Sequence, residues 1–190
     1  MILLLKDERA KLAFSALLGL VCFCIGGAFG IKQDLPGSQI DLVSLYPGQY
    51  LAKNLFADLG SAVLICLLGG FILGFLFVYP ILAARSYFMG VALGYLIASD
   101  SVSGSVVVAF AFSALVRIIS LSVLCRYGSE LSFDIINGCR NVGADRLRSF
   151  SVQCAAGVLV NFFAALYNAY LMPWLCNKTV EMFLDKAAFF

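Results

Sequence analysis

The sequence predicts an all-α, polytopic membrane helix bundle of about five transmembrane helices, a single integral membrane domain over residues 1–190. Three observations carry that prediction. Hydrophobic residues make up 62% of the chain, charged residues only 13%, and the mean hydropathy is +0.97, which leaves too little polar surface to wrap a water-soluble globule of this size. Most charges sit in short segments between long apolar runs. Those runs match the ~20 residues of helix that a hydrocarbon core of ~30 Å requires.

The first span is 12–31, an uncharged run preceded by Lys6, Arg9 and Lys11. It exceeds the ~7 to 15 apolar residues of a signal peptide, so it reads as a helix that stays. From Leu59 to Ser99 only Arg85 interrupts 41 residues, enough for two spans, 59–78 and 82–99. Tyr79, Pro80 and Arg85 are expected at a tight turn between them, where a missing backbone N–H and a charge cost least. The fourth span is 105–125, and the fifth, 150–172, ends near Pro173 and Trp174.

Between spans one and two, Tyr50, Leu51, Asn54, Leu55 and Asp58 have helical spacing and predict an interfacial helix. The segment 126–149 mixes four Arg with Glu130, Asp134 and Asp145. Its Gly128, Gly138 and Gly143 argue against one continuous helix and for a loop with short helical turns. Cytoplasmic flanks of membrane helices hold the excess of Lys and Arg. With the amino terminus inside, Lys6, Arg9, Lys11, Arg85, Arg126, Arg140, Arg146 and Arg148 are cytoplasmic, and Lys32, Lys53, Lys178 and Lys186 lie outside. An odd number of spans then puts the carboxyl terminus outside, in a multi-pass protein of the cell membrane.

Helices in lipid gain little from hydrophobic association and approach through small residues. Ser15, Gly19, Cys22, Gly26 and Gly30 share a face of the first helix, with Gly26 and Gly30 forming a G-x-x-x-G pair. Gly70 and Gly74 repeat the pair in the second helix, and Gly90 and Gly94 in the third. Each pair predicts a packing face, against another helix of this chain or against a partner or second copy.

Polar stripes mark the last two helices. Gln153, Gly157, Asn161, Ala164 and Asn168 align along the fifth, and Ala109, Ser113, Arg117 and Ser120 along the fourth. Arg117 is the basic residue well inside a span, about 13 Å from Arg126 at ~1.5 Å per residue, and Asn161 has a comparable depth. A charge there asks for partners. The Asn161 side chain, backbone carbonyls or water between the two helices are expected to hold the guanidinium, unless Arg117 snorkels to the cytoplasmic surface.

Chemistry is thin. There is no His, the commonest general base and metal ligand. The seven Cys, at 22, 24, 66, 125, 139, 154 and 176, show neither C-x-x-C spacing nor an even count, so they read as small apolar residues rather than a zinc or disulfide framework. Every Asp and Glu maps to a loop or terminus, which argues against a proton-coupled pump. No filter-like or hydrolase motif is present. No catalytic, cofactor-binding or metal-ligating residue is assigned, and a net charge of +2 without a basic patch predicts no nucleic-acid partner.

The block from Leu67 to Ala98, LLGGFILGFLFVYPILAARSYFMGVALGYLIA, and the ending NAYLMPWL with Ala169, Tyr170 and Pro173 resemble the five-helix membrane family of stage II sporulation protein M. Asn168 stands where that family often has an acidic residue, and Ser113 to Ser120 replaces its Pro-His-Gly-like element. The resemblance implies a membrane anchor that recruits peptidoglycan hydrolases, a lytic transglycosylase and an amidase or peptidase, to the septum during engulfment in endospore formation. Its contact candidates are the outer segments 32–58 and 176–190 and the lipid-facing helix sides. The competing expectation is a small-molecule permease subunit, such as the substrate-binding component of a vitamin-type importer, with a pocket lined by Asn161, Asn168, Tyr167 and Trp174.

Overall fold

The fold was analysed in a computed structural model, which describes residues 8–32, 59–98, 104–136, 144–171 and 174. The described residues form five α-helices and no strands: α1 (Glu8–Lys32), α2 (Leu59–Gly69), α3 (Gly74–Ala98), α4 (Gly104–Ile136) and α5 (Ala144–Leu166). A π-turn, Tyr167–Leu171, extends α5. Four of these, all but α2, are long and apolar enough to cross a membrane. The expected interfacial helix near 50–58, the outer segment 176–190 and Pro173 lie outside the described residues.

The side-chain distribution is that of a protein whose solvent is lipid. Phe14, Leu17, Phe71, Phe88, Phe112, Val108 and Phe163 are all more than half exposed, whereas Ser15, Ser86, Ser122, Ser129, Ser132 and Asn161 are buried. In water that arrangement would expose apolar surface on every side. In a bilayer it puts the smallest and most hydrogen-bonding side chains where helices touch.

The α1–α3 pair packs backbone on backbone. A methyl group at Gly26 would collide with the carbonyl of Tyr87, at Gly30 with that of Val91, at Gly90 with that of Phe23, and at Gly94 with that of Gly27. Contacts advance together along both helices, so α1 and α3 are parallel. Along α4 they recede: Ser15 Oγ donates to the Ser122 carbonyl at 3.2 Å, and Gly19 faces Ile118. Helix α5 is antiparallel to α4, since Leu124 meets Gly157 and Ser120 meets Asn161. Helices α1, α3 and α5 therefore run one way and α4 the other.

The reversal between α2 and α3 falls at 70–73, ten residues before the turn expected around Tyr79, Pro80 and Arg85. Pro80 and Arg85 both lie inside α3 instead, so Arg85 is a second basic residue within a helix long enough to span, and not one at a turn. The hairpin forms where glycine allows close approach: a Cβ at Gly74 would strike the Leu68 carbonyl. The single hydroxyl hydrogen of Ser132 in α4 is shared between the carbonyls of Gly69 (3.1 Å) and Phe71 (2.9 Å), the latter also accepting from the Gly74 N–H at 2.9 Å. Proline is tolerated within α3 because neighbouring helices re-satisfy the backbone of a helix in lipid. As a result Gly70 and Gly74 do not share a helix face; they bracket the hairpin.

Helices α4 and α5 also extend past the expected spans, α4 to Ile136 rather than 125, and α5 from Ala144 rather than 150. The segment expected as a loop is largely two helical extensions. Gly128 does not break α4, because it is a contact glycine: its Cβ would lie 3.2 Å from the Cα of Gly69. The Arg126–Glu130 pair, 3.1 Å apart at i and i+4, supports the same turn. An ion pair between Asp134 and Arg146 then ties the end of α4 to the start of α5.

Candidate functional site

The polar residues inside the bundle converge on the seam between α4 and α5. The register there is regular: Leu124 against Gly157, Ser120 against Asn161, and Arg117 against Ala164. Each step of a helical turn up α5 is matched by a turn down α4, so the two stripes seen in the sequence face each other. Asn161, 1% exposed, donates through Nδ2 to Ser120 Oγ at 3.1 Å and to the carbonyl of Gly157 at 2.8 Å.

Arg117 is 5% exposed and does not snorkel. Its Nη2 donates to the Ala164 carbonyl at 2.9 Å. Of the partners expected for it, a backbone carbonyl of α5 is present, and Asn161 lies one turn away on the same seam. The carbonyl sits just before the π-turn at Tyr167–Leu171. A widened turn shifts backbone pairing from i+4 to i+5, and such turns often fall at functional sites. Asn168, within that turn, is buried, and neither its Oδ1 nor the buried Ser113 Oγ has a hydrogen-bond partner among the described residues. Continuing the seam's register by one turn puts these two residues at the same level.

Gln153 is half-buried at the other end of the stripe, beside an open groove of about 330 Å³ between α4 and α5. Val116, Ile119, Val123, Leu124, Ala156 and Val160 make its lining mainly apolar, so its surface suits an acyl chain or an apolar helix face. A second hollow of about 260 Å³ lies where α4 and α5 extend beyond their apolar stretches, bordered by Arg126, Tyr127, Glu130, Asp134, Arg146 and Phe150. Asn161, Asn168, Tyr167 and Trp174, the residues a permease pocket would use, line neither hollow.

The six glycines divide. Gly26, Gly30, Gly90 and Gly94 meet at one interface, while Gly70 and Gly74 mark the α2–α3 hairpin. Spacing within single helices missed two further features. One is the reciprocal contact of Gly69 and Gly128; the Gly69-Gly70 doublet was its only trace. The other is the approach of Cys66 on α2 to Cys154 on α5, with Cys125 of α4 nearby.

Comparison with known proteins returned no match to a family model, a curated protein or a solved structure.

Proposed function

We propose that the chain is a non-enzymatic membrane scaffold that acts by holding other proteins at the membrane. The observation that supports this reading most is the backbone-on-backbone packing of α1 against α3. Two helices in that contact cannot slide or part without losing most of their shared van der Waals surface, so the pair is suited to holding position rather than to alternating access. The polar groups of the α4–α5 seam work in the same direction: Asn161, Ser120 and Arg117 are engaged in helix-to-helix hydrogen bonds.

The amino terminus is cytoplasmic in this reading. Among the described residues Arg9, Lys11, Arg126, Arg146 and Arg148 gather at one end of the bundle, where Lys11 lies over the Phe133 ring, and Lys32 stands at the other. That imbalance fits the positive-inside rule. The Gly-rich block Leu67 to Ala98 and the Ala169, Tyr170, Pro173 ending carry the finer proposal. By their resemblance to the stage II sporulation protein M family, the scaffold anchors a peptidoglycan lytic transglycosylase and an amidase or peptidase at the septum during engulfment.

Affinity capture of the tagged chain from spore-forming cells, after brief membrane crosslinking, tests this. Both wall hydrolases are expected to be enriched over an unrelated multi-pass control protein. Absence of both, with capture of an ATPase-coupled importer and a retained small solute, would replace the scaffold with the permease.

A further inference from the structure

We infer that Cys66 and Cys154 form an inter-helix dithiol site that oxidises to a disulfide and clamps α2 to α5. The side chains of Cys66 and Cys154 are close enough to interact, although the two residues are 88 positions apart. An independent contact fixes the same register. A Cβ at Gly69 would lie 3.2 Å from the ring of Phe150, and Cys66 and Cys154 are one helical turn further along each helix, in opposite directions. The approach is therefore a property of how α2 crosses α5, not of one rotamer.

The third cysteine of the cluster is occupied otherwise. Cys125 is fully buried and its thiol donates to the Val78 carbonyl at 3.3 Å. Cys66 and Cys154 are only half-buried. They also lie close to water-accessible surface: Phe150, one turn before Cys154, borders the charged hollow that contains Arg126 and Arg146. Cys125 is fully buried and its thiol is engaged, so the half-buried pair is the more accessible to a small disulfide.

The co-reactant is a low-molecular-weight disulfide. One protein thiolate attacks a sulfur of the reagent, forming a mixed disulfide and expelling one reagent thiolate. The second protein thiolate attacks the mixed disulfide, forming the Cys66–Cys154 bond and expelling the other. Two S–H bonds are lost from the protein, its sulfurs are oxidised, and the reagent is reduced to two thiols that take up the protons. The new bond fastens the α2–α3 hairpin to α5, and with it the short helix that α3 and α4 otherwise hold by glycine contacts.

The test uses the full chain in nanodiscs, with Cys22, Cys24, Cys139 and Cys176 replaced by Ser, exposed to 2-hydroxyethyl disulfide. Mass spectrometry of the digest is expected to find the Cys66 and Cys154 peptides joined, with two hydrogens lost and Cys125 unmodified. Cys66→Ser should abolish the crosslink and leave Cys154 carrying the reagent's mixed disulfide. Separate adducts on Cys66 and Cys154 in the parent protein, a crosslink made mainly through Cys125, or no modification of either residue would each overturn the inference.

Discussion

Replacing Gly94 by Ala probes the α1–α3 interface at one of its backbone-on-backbone contacts. The added Cβ would lie 2.9 Å from the Cα of Gly30 and 2.9 Å from the backbone N of Ile31, and nearer still to the carbonyl of Gly27. Carbon atoms in contact prefer ~3.5 to 4.0 Å, so the shortfall against Gly30 is about 0.6 to 1.1 Å. Every atom involved is backbone, and no side chain can swing aside. The helices must separate by on the order of 1 Å, which forfeits about a quarter to a half of the dispersion energy of the atom pairs along the seam. The expected loss is about 1 to 3 kcal/mol, the usual cost of forcing an extra methyl into a packed interior. Unfolding in mixed micelles of rising dodecyl sulfate content, followed by circular dichroism, reads it as an earlier midpoint. Gly60→Ala is the control, because a Cβ there meets nothing within 4 Å. It should leave stability unchanged or raise it by up to ~1 kcal/mol through helix propensity. If Gly94→Ala and Gly60→Ala unfold together, the backbone contact is not what holds α1 to α3.

Three further outcomes follow from the same geometry. A double-mutant cycle of Asn161→Ala and Ser120→Ala should give a coupling of about 0.6 kcal/mol, and not above ~1.7, the range for hydrogen bonds between helices in lipid; zero coupling would remove this bond from the seam. Gly157→Ala should destabilise, since its Cβ would come within 2.7 Å of the Leu124 side chain. Because that neighbour is a side chain, Leu124→Ala should recover part of the loss in the double variant, and failure to do so would place the clash elsewhere. Ser132→Ala should speed hydrogen exchange in the 69–74 hairpin several-fold by removing the hydroxyl that bridges the Gly69 and Phe71 carbonyls, while α1 exchanges at the parent rate.

Helix number and faces were legible in the sequence because each follows from distances along one chain segment. Apolar run length marks a span, and steps of three and four mark a face, so the Gly26–Gly30 and Gly90–Gly94 pairs and the stripes through Arg117 and Asn161 were visible before any contact was known. What lies between helices was not. Pro80 looked like a turn because proline is costly in a helix in water, but the hairpin formed at Gly70–Leu73, where Gly74 admits the Leu68 carbonyl and Ser132 reaches across. Gly128 looked like a breaker for the same reason, yet its missing side chain makes room for Gly69. Arg117 donates to a backbone carbonyl, which every residue carries, so no side-chain pattern singles that acceptor out. Cys66 and Cys154 meet only through the crossing of α2 and α5, and their spacing in the chain contains no sign of it.

Everything said of a scaffold with wall-facing segments depends on the chain crossing the membrane an odd number of times, and α2, with 11 described residues, is the helix on which that count turns. Site-directed thiol labelling in intact cells measures it directly. In a background with the native cysteines replaced, Arg9→Cys and Lys178→Cys are probed with a membrane-impermeant maleimide before and after permeabilisation. Five crossings with a cytoplasmic amino terminus predict that position 178 is labelled in intact cells and position 9 only after permeabilisation. Labelling of both positions under the same condition would mean an even number of crossings and would contradict the account.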